Sequence, residues 1–415
     1  MNKGLWTLRY TFINVTYFVA FCTIHALAAL YLLAQGFTNT EVGILLAVAN
    51  ILSAISQPLI AGIIDKPGHL TNRRFILISV FIIMAGSGIL MVSNKNKPLI
   101  FVTYVIIYMI QFAYQPVMTA LCFEYQKAGC NIFYGLARGL GSASFALTSA
   151  FIGGAVEEHG VNILLIVNVI AMVLSAIVVF FFKKPEVQGR GDLNGYSDTA
   201  LNRVLNPDDG SEDIKVAHNN FFDFARTYPA FILFLLGVIC FFFAHNMIND
   251  FMIQIIRNLG GGEKELGYSN FLQAILELPV MALIGIVLKK ISSDKLLIFS
   301  GTAFFVKILI LIFATNMATM YLSQSFQLFA YAVFIPASAY YVSQNMAELD
   351  QVKGQAFVTS AITVGGVFSN LISGVILDNM GIRPMLIVGT VVSALGVVIA
   401  YMALGPKRGA RLDEK

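Results

Sequence analysis

Apolar runs of about twenty residues recur from one end of the chain to the other, separated by short polar or basic turns. At 1.5 Å per residue, a run of that length crosses the hydrocarbon core of a bilayer as one helix. The runs do not alternate apolar and polar over about ten residues, as barrel strands do. The pattern predicts twelve helical spans, near 11–33, 43–64, 74–93, 99–121, 138–156, 162–182, 229–252, 266–288, 295–314, 318–342, 355–377 and 384–404. One long polar stretch, Lys183 to Arg226, interrupts the series after the sixth span. It carries turn and linker chemistry (Gly189–Gly195, Asn206–Asp213) and few large apolar residues to bury. The expected fold class is therefore an all-α membrane protein of two six-helix bundles, residues 1–182 and 229–415, joined by a linker over 183–228.

Composition strengthens this reading. Hydrophobic residues make up 57% of the chain and charged residues 12%, against roughly 25% charged in soluble domains. The net charge of +4 serves as a topology marker. With both termini cytoplasmic, the loops on that side hold most of the Lys and Arg, and the opposite side holds Lys95, Lys97, Arg257, Lys264 and Arg383. The basic start runs straight into a full-length span with no small-residue cleavage site, so no cleaved signal is expected. The four cysteines (Cys22, Cys122, Cys130, Cys240) have no metal-ligand spacing and read as free, buried thiols. No Gly-xxxx-Gly-Lys-Ser/Thr loop for a nucleotide appears. Nor does a nucleophile–base pair or an intramembrane metal cluster, so neither an enzyme nor a resident cofactor is expected.

The two halves repeat. Gly153-xxx-Glu157-xx-Gly160 closes the fifth span and Gly374-xxx-Asp378-xx-Gly381 closes the eleventh. His25 lies in the first span and His245 in the seventh. Gly43 opens the second span and Gly267 the eighth, and these two also share an interior proline, Pro58 and Pro279. Two parallel repeats related by an axis along the membrane normal are a transporter architecture, with the solute site between them near mid-bilayer.

From these residues the chain resembles the major facilitator superfamily. The segment Gly62-Ile-Ile-Asp65-Lys66-Pro-Gly68-His-Leu-Thr-Asn-Arg73-Arg74 is similar to its gating-loop motif, although Ala61 takes the first glycine position and the basic pair comes late. The resemblance gives Asp65, Lys66, Gly68, Arg73 and Arg74 the role of a latch that breaks and reforms. Phe133–Gly141 resembles the fifth span of the lactose permease group, the oligosaccharide–proton symporters: Gly135, Ala137 and Arg138 match, and Leu136 replaces an arginine. That likeness implies a sugar-binding role for Arg138 and a ring-stacking role for Phe145. It also carries departures. The group's span-four carboxylate falls at Ala120 and its span-eight carboxylate at Ala274, with Glu277 one turn later. The proton-translocating His and Glu of its tenth span fall near Gln327 and Ala330, and its span-nine arginine falls near Lys307. The eighth span, Ala274–Met281, resembles more closely a broader permease-like branch, of unsettled substrates, whose members carry a similar Glu-Ile-Pro segment.

The residues themselves supply candidate chemistry. An arginine near lipid costs from a few to more than ten kcal/mol, so Arg138 must face protein or water. His25 and His245 occupy equivalent helices and titrate near neutral pH. Tyr104, Tyr108, Gln111 and Gln115 share one helical face, as do Gln324, Gln327 and Tyr331. Amides and phenols suit a hydroxyl-rich ligand, and they serve interhelical bonding equally well. Glu277, Asp250 and Lys307 are candidates for proton coupling: Glu277 as the proton acceptor, Lys307 as its counter-ion, Asp250 near the watery end of its span. Glu124 is a candidate partner for Arg138 across the turn between spans four and five.

The expected function is secondary active transport of a small polar solute, a sugar or glycoside, with protons, by alternating access. An organic anion, a nucleoside or drug export are the alternatives. The expected setting is the cell (plasma or inner) membrane and the expected state a functional monomer, with a small-molecule substrate, no nucleic-acid partner and the proton gradient as driving force.

Overall fold

The computed structural model describes residues 3–64, 70–184 and 221–405, and its regular elements are helices. In the first set these are α1 (Lys3–Phe21), a π-turn (Cys22–Ala26), α2 (Ala28–Ala34), α3 (Asn39–Ile64), α4 (Asn72–Val92), α5 (Lys97–Lys127), α6 (Tyr134–His159) and α7 (Asn162–Phe181). The second set comprises α8 (Phe221–Thr227), α9 (Pro229–Asp250), α10 (Met252–Asn258), α11 (Glu263–Val287), α12 (Ser293–Ile312), α13 (Met317–Ser325), a 3-10 turn (Phe326–Leu328), α14 (Tyr331–Asn345), α15 (Glu348–Asn379) and α16 (Ile382–Leu404). Residues 185–220 of the linker, and Asp65, Lys66 and Gly68 of the gating-loop motif, lie outside the described residues.

Each of the twelve predicted intervals is helical. Among the described residues, ten helices are long and apolar enough to cross a membrane, or eleven with the bent α1–α2 pair counted as one. Two predicted spans are broken. The first turns by 53° between Ala26 and Ala28, where the π-turn inserts an extra residue into the helical ladder. The tenth is interrupted by the 3-10 turn between α13 and α14. Side-chain caps set several starts: Thr71 Oγ1 accepts from Arg74 N at 3.3 Å, and Asn316 Oδ1 from Thr319 N at 2.9 Å. Gly160 and Gly381, the last residues of the two repeated motifs, both adopt left-handed φ (77° and 84°), and the next helix restarts within two residues of each.

Large aliphatic and aromatic residues such as Leu59, Phe81, Phe151 and Val391 are exposed on the outside, as a lipid-facing surface requires, while Tyr10, Tyr17, Phe234 and Phe241 are buried within. In lipid, apolar burial does not drive helix against helix, so close packing falls to small residues. Two seams join the sets on this basis. Along α3 and α15, a Cβ at Gly43 would run into the Asn370 carbonyl and one at Gly374 into the Asn39 carbonyl. Along α6 and α11, a Cβ at Gly153 would meet the Glu263 carbonyl and one at Gly267 the Ser149 carbonyl. The interior lies between these seams.

Candidate solute site and coupling relay

On the first set, Phe18 and Phe21 at the end of α1 and His25 in the π-turn that follows come together in one aromatic cluster. Arg138 of α6 lies over the Phe18 ring at 4.3 Å, within cation–π range, and its Nη1 donates to Ser142 Oγ at 2.5 Å. No carboxylate reaches it within ion-pair distance among the described residues. One step further in, Phe145 approaches Phe21 (6.5 Å between ring centroids). Phe21 stacks on His25 at 4.0 Å, and Tyr108 and Phe112 of α5 enclose the imidazole at 3.9 and 4.7 Å. His25 and Gln111, one turn from Tyr108 on α5, face each other, and neither the imidazole nor the side-chain amide has a hydrogen-bond partner beyond that pair. Gln115 is half-buried one turn further on. The Tyr108 hydroxyl donates to Asn50 Oδ1 of α3 at 3.1 Å.

The second set holds a relay. Lys307, fully buried at 0% exposure, donates from Nζ to Gln273 Oε1 at 3.1 Å and to Gln327 Oε1 at 2.8 Å. The other end of the Gln327 amide donates to Glu277 Oε1 at 2.8 Å. One amide thus bridges a carboxylate and an ammonium that do not touch. Arg138, on the opposite set, lies within electrostatic range of both Glu277 and Tyr331. His245 stacks on Tyr331 (5.4 Å, 16°), and its Nε2 lies 2.9 Å from the Asn249 amide nitrogen. Gln324 is buried with neither amide atom partnered.

Several expectations need correcting. Glu124 does not pair with Arg138: its Oε2 accepts from Asn72 Nδ2 at 3.0 Å, and Oε1 faces Lys184 Nζ at 3.7 Å. It fastens the ends of α4, α5 and α7 together. Asp250, half-buried at the last residue of α9, has Asn370 and Tyr108 beside it, so it faces both sets rather than solvent alone. Lys307 meets Glu277 through an amide, and Gln327 is occupied by that bridge. Arg73 donates to the Val179 and Phe180 carbonyls at 3.0 and 2.7 Å, so it caps the C-terminus of α7 within its own set. Arg74 opens α4 under the Thr71 cap. The histidines, equivalent by repeat, have different surroundings: a ring in an aromatic cage facing Gln111, and a ring bonded to Asn249.

Sequence reasoning missed Gln273, Ser142, Phe18, Phe21 and Phe112. Gln273 and Ser142 lie four residues from Glu277 and Arg138, so helical spacing alone places them on the same faces.

The MFS_1 like family model matches residues 9–388. No curated protein matches the chain. Among solved structures, the nucleoside transporter NupG superposes with a TM-score of 0.69 at 16% identity, covering 97% of this chain and 98% of its own. A bacterial homolog of the human lysosomal transporter Spinster, in an inward-facing and unoccupied conformation, gives 0.66 at 11% identity, with 97% and 96% covered. An auto-inhibited POT family peptide transporter gives 0.70 at 12% identity, with 99% and 98% covered. At such identities the likeness is one of fold. With the family match spanning nearly the whole chain, this multi-pass membrane protein belongs to the MFS_1-like family of major facilitator transporters.

Proposed function

We propose that the protein is a proton-driven secondary transporter of a small, hydroxyl-rich solute of the glycoside class, working by alternating access in the cell membrane with both termini cytoplasmic. The observation that carries this is the set of buried polar groups with no partner outside the set: His25 and Gln111, which face each other, and the Gln324 amide. Buried polar atoms are otherwise almost always bonded. Rings and unpartnered donor–acceptor groups together fit a solute with an apolar face and a hydroxyl edge. Arg138, without a carboxylate, supplies donors to that edge. Glu277, tied to Lys307 through Gln327, is the group proposed to take up and release the coupling proton, and Asp250 is a second intramembrane acid for that role. The likeness to the lactose permease group rests on Gly135, Ala137, Arg138 and Phe145. A nucleoside, itself a glycoside with a stacking base, is the second reading: the His25 cage has rings on three sides, one stacked, one tilted and one edge-on, and NupG shares the fold.

Uptake by proteoliposomes under an imposed pH gradient tests the proposal, with labelled sugars, nucleosides and organic anions inside one panel and a lipophilic dye as the export control. Accumulation of a sugar or nucleoside that collapses with the gradient is the expected result. Dye efflux with no uptake of any glycoside contradicts it.

A further inference from the structure

The two repeated Gly-xxx-acid-xx-Gly motifs end at the same place in the molecule, the end carrying the α2–α3, α6–α7 and α15–α16 turns. There each acid reaches across to the other set and accepts from the start of a helix. Asp378 of α15 accepts from three donors on α3: Asn39 N (3.1 Å) and Asn39 Nδ2 (2.8 Å) at Oδ1, and Thr40 N (2.7 Å) at Oδ2. Glu157 of α6 accepts from Lys264 N of α11 at 2.9 Å. The two receiving helices are prepared alike. Each has its own glutamate three residues after the cap position, bonding back to that cap: Glu41 Oε2 accepts from Thr38 N at 2.8 Å, and Glu265 Oε2 from Gly262 N at 2.8 Å. The local box satisfies the cap amide and leaves the next amides of the first turn for a carboxylate from the other set. Gly374 and Gly153, one turn before the acids, are the positions where a Cβ would strike the receiving helix.

We propose that Asp378 and Glu157 are a matched pair of latches, each a carboxylate capping a helix of the opposite set, that hold this end of the transporter closed. The design is reversible. Neither bond costs a buried charge, because both acids are exposed. When the sets part, water replaces the carboxylate at each helix start. The helix dipole adds an attraction of about 0.3–1 kcal/mol per carboxylate, enough to bias a two-state equilibrium without locking it. The latches are unequal. Asp378 holds three donors, and its partner Asn39 is itself braced by Gln254 Nε2 of α10 at 2.5 Å. Glu157 holds one backbone donor. Loss of Asp378 therefore opens the end more than loss of Glu157.

The inference rests on the alternating-access reading, and its test separates the two. Spin labels at Lys95→Cys and Arg383→Cys, exposed positions of the two sets at this end, report its opening by pulsed dipolar spectroscopy in a background where the four native cysteines are replaced by alanine. Asp378→Ala and Glu157→Ala are expected to raise the long-distance population by about two- to fivefold each, more for Asp378, with the double variant highest. Asp378→Asn, which keeps an acceptor oxygen, should fall between wild type and alanine. Helical content by circular dichroism and a monodisperse elution profile distinguish opening from unfolding. A folded double variant with the wild-type distance distribution overturns the latch, even where solute uptake proceeds. Absent uptake beside the expected distance shifts leaves the latch standing and removes the transport reading.

Discussion

Lys307 is the residue whose position demands most of its neighbours. A lysine with no exposure has lost its hydration, and it is held by two amide oxygens where an acid would be the simpler partner. Gln327 makes the arrangement work because an amide has an acceptor at one end and donors at the other. It satisfies the ammonium and the carboxylate without bringing them into contact, so Glu277 stays free to change its protonation while Lys307 keeps its bonds. Replacing Lys307 by Ala removes the donor for two amides and the charge facing Glu277; a loss of about 3–5 kcal/mol is expected for a broken buried charge network, measured as a lower midpoint of thermal unfolding in detergent. Arg138 differs in holding only a hydroxyl and a ring. Arg138→Ala should weaken solute binding by about ten- to hundredfold, the worth of a hydrogen bond to a charged group, with little loss of stability. Isothermal titration checks the first and melting the second; unchanged affinity moves the site elsewhere. Residue roles were partly legible. Arg138 and Glu277 stand out in any apolar run, and Gln273 follows by helical spacing. The assignments of Glu124 and Gln327 were not, since both are set by helices 50 or more residues away.

The elements were read well as intervals and poorly as shapes. A run of apolar residues fixes that a helix crosses, because backbone groups in lipid must bond internally, but it carries no mark of a bend. Cys22–Ala26 contains neither proline nor glycine, yet it forms the π-turn that places His25 in its cage and swings α2 away by 53°. The break before α14 is equally silent. Glycines were the more informative signal: Gly43, Gly153, Gly267 and Gly374 were picked out by repetition, and each is a point where two backbones meet. What the sequence did not carry is the identity of the facing helix, which depends on how the two sets dock. Gly43→Val puts a branched side chain against the Asn370 carbonyl. The expected outcome is a protein that folds and inserts but transports at less than a tenth of the wild-type rate, and wild-type uptake would mean that the α3–α15 seam is looser than its geometry.

At the scale of the whole molecule, one duplicated plan explains the paired histidines, the paired prolines, the two seams and the two capping acids. Duplication does not keep the chemistry equal. The first set holds the arginine and the open aromatic cage, and the second holds the acid–amide–lysine relay. That division fits the proposal above, in which solute and proton are held by opposite sides of one interior. The charge distribution over the loops predicts both termini in the cytoplasm, so a protease should remove tags from both ends in inside-out vesicles and from neither in intact cells. The family and the bundle were legible from hydropathy and repeat; the substrate was not, because amides and rings bind a hydroxyl-rich solute and a neighbouring helix with the same atoms.

The central claim is that solute and proton cross together through this interior. Proteoliposomes loaded with a pH-sensitive dye and given the transported glycoside measure it directly. The account predicts internal acidification on adding solute, absent in Glu277→Gln, while that variant still exchanges labelled for unlabelled solute across the membrane. Solute uptake by the wild type with no proton entry, or undiminished acidification by Glu277→Gln, would contradict it.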